Sequence, residues 1–191
     1  MCVEKGANRR MRSDLELVEA VRGGDLEAFD ELMRRYERLV YKVAVSFVAT
    51  PENSFDVTQT VFLKAFRGLS GFRNEAHLKT WLLRITHNES VNWLRGGSVK
   101  EESHERIDAV ADFLPGRDSQ EADLLARERR EHLERAMATL NDRYRLAVVL
   151  RYFQGLDIAE ISAVLGCSEG VTKNILFRSV RTLRESLAQM A

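Results

Sequence analysis

Proline and cysteine are nearly missing from this chain, which has two of each in 191 residues. Cys2 and Cys167 cannot build a disulfide framework. Their positions, near the amino end and within a helix turn, suit reduced thiols in a cytoplasmic setting. No apolar run approaches the roughly 18 residues of a membrane-spanning helix, so no membrane partner is expected. The opening segment MCVEKGANRRMRSD is charged and has no apolar centre. An export signal is therefore not expected, and Met11 is an alternative start because the periodic pattern follows it. Strict apolar–polar alternation is lacking as well, which removes strands and leaves helical periodicity throughout. His77, His87, His104 and His132 do not pair with cysteine or acids at metal-ligand spacing. With no glycine-rich nucleotide loop and no nucleophile motif either, the expectation is a non-enzyme that needs neither metal nor cofactor.

Net charge is absent too, with 29 basic and 29 acidic residues, but the distribution is uneven. Residues 1–97 hold 15 basic against 13 acidic, residues 98–123 hold 3 against 8, and residues 124–191 hold 11 against 8. An acidic connector thus separates two mildly basic blocks. The connector, SVKEESHERIDAVADFLPGRDSQEAD, is polar and interrupted by Pro115-Gly116, so it reads as a flexible linker over 98–123 between units at 14–97 and 124–188.

What is present is amphipathic helix. Leu15, Val18 and Val21 mark a short first helix ended by Gly23-Gly24, and Asp25 caps the next. That second helix carries Phe29, Leu32, Met33, Tyr36, Leu39, Val40, Val43, Ala44 and Phe47 on one face. Thr50-Pro51 supplies a cap and a first-turn proline for a third helix with Val57, Val61, Phe62, Ala65, Phe66 and Leu69 inward. A fourth, from about His77 to Arg95, buries Leu78, Trp81, Leu82 and Ile85, and Trp93 is also assigned to the core. Further helices are expected over Leu124–Leu140 and Tyr144–Phe153. The fold class is all-α: a four-helix unit and a helix-turn-helix unit joined by a flexible linker.

The helix-turn-helix lies in Tyr152–Arg184, YFQGLDIAEISAVLGCSEGVTKNILFRSVRTLR. Ile158, Ile161 and Leu165 share one face of its first helix. Gly166 can take the left-handed conformation, and Ser168 can cap the second helix, so the turn is Gly166-Cys167-Ser168. Thr172, Leu176, Ser179 and Leu183 point inward, leaving Lys173, Asn174, Phe177, Arg178 and Arg181 outward. Arginine and lysine match the acceptor edge of guanine and asparagine matches adenine, so this face suits a DNA major groove.

Residues 61–95, VFLKAFRGLSGFRNEAHLKTWLLRITHNESVNWLR, and 140–185, LNDRYRLAVVLRYFQGLDIAEISAVLGCSEGVTKNILFRSVRTLRE, carry a resemblance. They resemble regions 2 and 4 of the extracytoplasmic-function sigma factors of the sigma-70 family. The likeness spans roughly residues 14–187. It implies core RNA polymerase and promoter DNA as partners, with region 2 opening the minus-10 element and region 4 reading the minus-35 element. Carried onto this chain, Lys173, Asn174 and Arg178 face base edges, Phe177 belongs to the same minus-35 surface, and Arg181 and Arg184 hold phosphates. Ile175 and Val180 stand where the family usually has arginines, so phosphate anchoring should be poorer or the inward stripe wider. For the minus-10 strand the resemblance implies the loop Gly71–Ala76, with Arg73 and Asn74, and the polar surface of the fourth helix: Lys79, Arg84, His87, Asn88 and Arg95. Such a site needs cations along the backbone and amides or rings for the base.

The third helix departs from the family. Members usually carry an acidic face there, approximately Asp-Ala-Glu-Asp-Leu-Val-Gln-Glu, which docks on the basic coiled coil of the polymerase clamp. Here the segment is Asn53-Ser54-Phe55-Asp56-Val57-Thr58-Gln59-Thr60, in which Asn53, Phe55 and Thr60 replace acids. Glu52, Asn53, Phe55, Asp56, Gln59, Thr60 and Leu63 remain the expected docking set, with weakened electrostatics. Hydroxyls at acid positions suggest a Ser/Thr protein kinase as a partner, acting at Thr60 first, then at Thr58 or Ser54. The chain resembles acid-poor subgroups associated with such kinases, and an anti-sigma factor is the less expected partner. The competing reading is a stand-alone helix-turn-helix regulator, which would bind palindromic duplex without polymerase and leaves residues 61–95 unexplained.

Overall fold

The computed structural model describes residues 12–48, 50–73, 77–96, 129 and 131–189. Asn74, the connector 98–123 and the alternative start Met11 lie outside the described residues. The described chain is all-helical: α1 (Asp14–Arg22), α2 (Leu26–Val45), α3 (Pro51–Gly68), α4 (Leu78–Arg95), α5 (131–138), α6 (Asp142–Val148), α7 (Ile158–Leu165) and α8 (Glu169–Ala188). A 3₁₀ turn, Leu69–Gly71, follows α3, and a π-helical turn, Val149–Phe153, follows α6. The helix expected over Tyr144–Phe153 is therefore two pieces that start earlier, at Asp142.

Local chemistry sets most boundaries. Asp25 accepts from the Ala28 amide and begins α2; Thr50 accepts from the Asn53 amide and begins α3, with Pro51 in the first turn. Asn141 caps α6 and Asp157 caps α7 in a reciprocal box with Glu160, while Ser168 caps α8. Gly166 ends α7 at φ 63°, the left-handed conformation that costs glycine nothing.

Helices α1–α4 pack together, with α2 against α1, α3 and α4, and α3 against α4. One core cluster joins Leu17, Val18, Ala28, Leu32, Ala65, Leu69, Phe72, Leu78 and Leu82. Each fully buried leucine or valine contributes about 1.5–3 kcal/mol relative to exposure. Arg12 ties α1 to α2 through Asp25 at 3.2 Å and Glu31 at 3.0 Å, and Asp14 accepts from Tyr36 and Arg35. Leu15 and Phe66 both point outward, and of the two Phe66 was expected inward. Leu15 is exposed because Leu17 and Val18 face α2 instead, and Phe66 is exposed at the rim with its ring set edge-on to Phe29 at 4.9 Å.

The second unit stacks α6 and α7 on α8. A second apolar cluster does not stop at the unit boundary. It includes Val40, Phe47 and Leu83 from the first unit together with Leu146, Val149, Ile161, Val164 and Leu176 from the second. Consequently α4 is buried on two sides: Leu78 and Leu82 face its own bundle, and α7 packs on another face.

Candidate nucleic-acid interface

On α8 the inward stripe is Thr172, Ile175, Leu176 and Ser179. Ile175 is buried, so the stripe is wider than the four expected positions, and a hydrophobic residue stands where an arginine would otherwise point out. Thr172 is fully buried in a small polar network: its hydroxyl lies 2.9 Å from Ser162 Oγ, 3.3 Å from Cys167 Sγ and 3.2 Å from the Ser168 carbonyl. This network fixes α8 against α7. Lys173, Asn174, Phe177, Arg178, Arg181 and Arg184 are all exposed, and Phe177 is 70% exposed. Arg181 is partly neutralised by Glu185 at 2.8 Å, whereas Lys173 lies only loosely near Glu169 at 3.9 Å. The result is a cationic helix face with one protruding ring, of the size and chemistry that a major groove accepts.

The residues expected for the minus-10 strand divide into two groups. Arg73, Asn88 and Arg95 are exposed. Lys79, Arg84 and His87 instead face the second unit. Lys79 Nζ pairs with Glu160 Oε1 at 2.9 Å, and Arg84 Nε donates to the carbonyls of Ala163 at 2.9 Å and Val164 at 3.3 Å. These carbonyls belong to the last turn of α7, whose helix dipole favours a cation there. His87 is half-buried, its ring edge-on to Phe47 at 5.5 Å, and its Nε2 has no hydrogen-bond partner among the described residues. Burial is the main reason its pKa falls below 6.5, with Arg143 and Arg95 adding to the fall and Asp142 and Asn88 opposing it. Trp81 is half-buried against Phe72 at 5.1 Å, and Trp93 is half-buried against the shared cluster.

On α3, Glu52, Phe55, Asp56, Gln59 and Leu63 form an exposed strip, with Asn53 and Thr60 half-buried along its margin. The Phe55 ring packs at a tilt against Tyr41, centroids 4.8 Å apart, and Lys64 pairs with Glu89 at 2.6 Å. Ser54 is a correction: it is fully buried, and its hydroxyl donates to the carbonyls of Thr50 at 2.7 Å and Val48 at 2.9 Å, so no kinase can reach it in the folded chain. Thr58 is half-buried and donates to the Ser54 carbonyl at 2.7 Å. Glu160 was not anticipated as part of any site. The Asp157-x-x-Glu160 capping box was visible in the sequence, but its second use by Lys79 depends on a packing partner far along the chain.

Among the described residues no group of three or more His, Cys, Asp or Glu is placed to hold a metal, and no helix is long and apolar enough to cross a membrane.

Comparison with known proteins gives a consistent result. Residues 32–98 match the family described as Sigma-70 region 2, and residues 130–183 match Sigma-70, region 4. The chain is 31% identical over 180 residues to the RNA polymerase sigma-H factor of Pseudomonas aeruginosa, covering 91% of this chain and 93% of that protein. It is 32% identical over 174 residues to the ECF RNA polymerase sigma-E factor of Escherichia coli K12, covering 87% and 90%. Among solved structures, CnrH in complex with the cytosolic domain of CnrY aligns at TM-score 0.68 and 23% identity, over 92% of this chain and 97% of that one. The sigma factor RpoE in complex with the anti-sigma factor NepR from Bartonella quintana aligns at TM-score 0.59 and 22% identity, over 84% and 96%. The two structures show the shared fold.

Proposed function

The chain belongs to the sigma-70 family as a sigma factor of the extracytoplasmic-function type, and from that premise we propose that its polymerase-docking helix, α3, is completed by phosphorylation of Thr60. As a sigma factor it serves transcription initiation by RNA polymerase at promoters. In the proposed division of labour, α8 reads the minus-35 duplex with Lys173, Asn174, Phe177 and Arg178 while Arg181 and Arg184 hold phosphates. The loop before α4 and the polar face of α4 take the minus-10 strand. The strip Glu52, Asn53, Phe55, Asp56, Gln59, Thr60 and Leu63 meets the clamp coiled coil.

The observation that carries the switch is the composition of that strip. Glu52 and Asp56 are its two acids, and apolar Phe55 and Leu63 are exposed between them. Opposite charges orient such a docking surface, and each close pair contributes on the order of 1 kcal/mol. A phosphothreonine brings about −1.5 to −2 charges, more than the glutamate of a typical member. Of the three hydroxyls on α3, Ser54 is enclosed and Thr58 is turned to the Ser54 carbonyl, which favours Thr60 at the margin of the exposed strip. A Ser/Thr protein kinase is the partner this chemistry requires. The region 2 match weighs against a stand-alone helix-turn-helix regulator.

Binding of core polymerase to wild type, Thr60→Glu and Thr60→Ala, with and without kinase, tests the proposal, with run-off transcription as a second readout. The expected result is about five-fold tighter binding for Thr60→Glu and a larger gain for kinase-treated wild type, with no response in Thr60→Ala. Equal affinities throughout would remove the switch while leaving the sigma assignment intact.

A further inference from the structure

α3 carries apolar side chains on two sides, and the bundle covers one of them. Ser54, Val57, Val61, Phe62 and Ala65 are buried, and the helix packs on α2 and α4. On the solvent side, Glu52, Phe55, Gln59, Leu63 and Phe66 are all exposed and follow one another at steps of three, four, four and three residues. Such spacing, about 3.5 residues per turn, draws them into one ridge about 20 Å long. Phe55 is 56% exposed, Leu63 58% and Phe66 42%. Rings of α2 back the ridge at both ends: Tyr41 lies at a tilt beside Phe55 with centroids 4.8 Å apart, and Phe29 meets Phe66 edge-on at 4.9 Å. A single exposed leucine is ordinary, but three large apolar side chains in one row, two of them backed by rings, form a surface suited to a partner.

We propose that this ridge is an apolar anchor for the basic coiled coil of the polymerase clamp, with the Phe55–Tyr41 pair as its main point of grip. The anchor rests on the reading of α3 as the clamp-docking helix and is independent of any modification of Thr60, which lies off the ridge. Two features select a helical and cationic partner. A seam that repeats at about 3.5 residues is one that a second helix can follow along its length, because successive knobs stay on the line of contact. Glu52 lies one turn before Phe55, and Asp56 follows Phe55 in the chain. A lysine or arginine of the coiled coil therefore lays its aliphatic stem across the two rings while its charged head reaches the carboxylates. Phe55 stands where the family usually has an acid. This chain thus exchanges an attraction that salt screens for a contact that works by excluding water, and its grip on polymerase persists at ionic strengths that loosen an acid-rich surface.

Binding of the labelled full chain to core polymerase, followed by fluorescence anisotropy at about 0.1 M and about 0.4 M salt, tests the anchor. Phe55→Ala should weaken binding by about ten-fold or more and Leu63→Ala by about three-fold or more, each by the same factor at both salts. Asp56→Arg should weaken it chiefly at the lower salt. The decisive variant is Phe55→Glu, which restores the charge usual in the family. Docking by charge alone predicts tighter binding, whereas the anchor predicts weaker binding at the higher salt. Phe55→Glu binding as well as wild type or better at that salt, or no loss in Phe55→Ala and Leu63→Ala while Asp56→Arg binds poorly, overturns the anchor and leaves α3 as the docking helix. If no variant changes the affinity, Asp56→Arg included, α3 is not the docking helix and both readings fall. Should Phe55→Ala fail to fold by circular dichroism once the Tyr41 contact is lost, Leu63→Ala decides, since its side chain is 58% exposed.

Discussion

Replacing Thr172 by valine tests whether the helix-turn-helix is held in register by its buried hydroxyl network. Valine keeps the branched shape, so no cavity is opened and the loss is confined to hydrogen bonding. The Thr172 hydroxyl touches Ser162 Oγ, Cys167 Sγ and the Ser168 carbonyl. The consequences differ at each. The Ser168 carbonyl still accepts from the Thr172 amide at 3.0 Å, and the Ser162 hydroxyl still donates to the Ile158 carbonyl at 2.6 Å. Only Cys167 loses a polar neighbour outright, and a thiol is a weak donor. The net cost is therefore near one ordinary hydrogen bond, about 1 kcal/mol, well short of the penalty for a buried unsatisfied group. Thermal unfolding should move down by about 2–4 °C if the whole chain melts as one unit, and by about 4–8 °C if the second unit melts alone. Binding of a minus-35 duplex should weaken with it, because α8 loses a contact that fixes its angle to α7. An unchanged melting temperature would show that the network is ornamental. A loss above about 3 kcal/mol in urea titration would show that the remaining bonds do not hold when the hydroxyl goes.

Two further outcomes follow from the same geometry. On α8, Arg178→Ala should cost about 1–3 kcal/mol on the preferred promoter and relax specificity, whereas Arg184→Ala should weaken all duplexes alike and lower the salt dependence by about one counterion, both read by duplex titration across salt. At the boundary of the two units, burial lowers the His87 pKa, so the packed state holds it neutral; packing is fully favoured above its ordinary pKa of 6.5 and is lost as pH falls below that value. Stability of the full chain in urea titration should fall from pH 7.5 to 5.5 in wild type and stay flatter in His87→Gln.

Much of this architecture is legible in one sequence because its helix ends are chemically marked. Asp25, Thr50-Pro51, Gly166 and Ser168 each satisfy or terminate a backbone turn by themselves, with no help from distant residues. The outward faces of α3 and α8 follow from helical period alone once the buried stripe is found. The errors come where polarity misleads. Ser54, Thr86 and Ser90 are fully buried although hydrophilic, because each hydroxyl is satisfied by the carbonyl four residues earlier. A polar residue that solves its hydrogen bonding within its own helix can enter a core without leaving a trace in the pattern. Phe66 errs the other way and Leu15 is exposed like it, since a small bundle cannot cover every apolar side chain at its rim.

The partners of Lys79 and Arg84 have a different origin. Sequence marks both as donors in need of oxygen acceptors, and in the folded chain Glu160 and the carbonyls of Ala163 and Val164 stand nearest. A guanidinium can be met by two carbonyls at the end of a helix, which offer partial negative charge, as well as by phosphate oxygens, which offer a full one. Sequence therefore reports the demand for an acceptor, and the three-dimensional arrangement decides which one is met first.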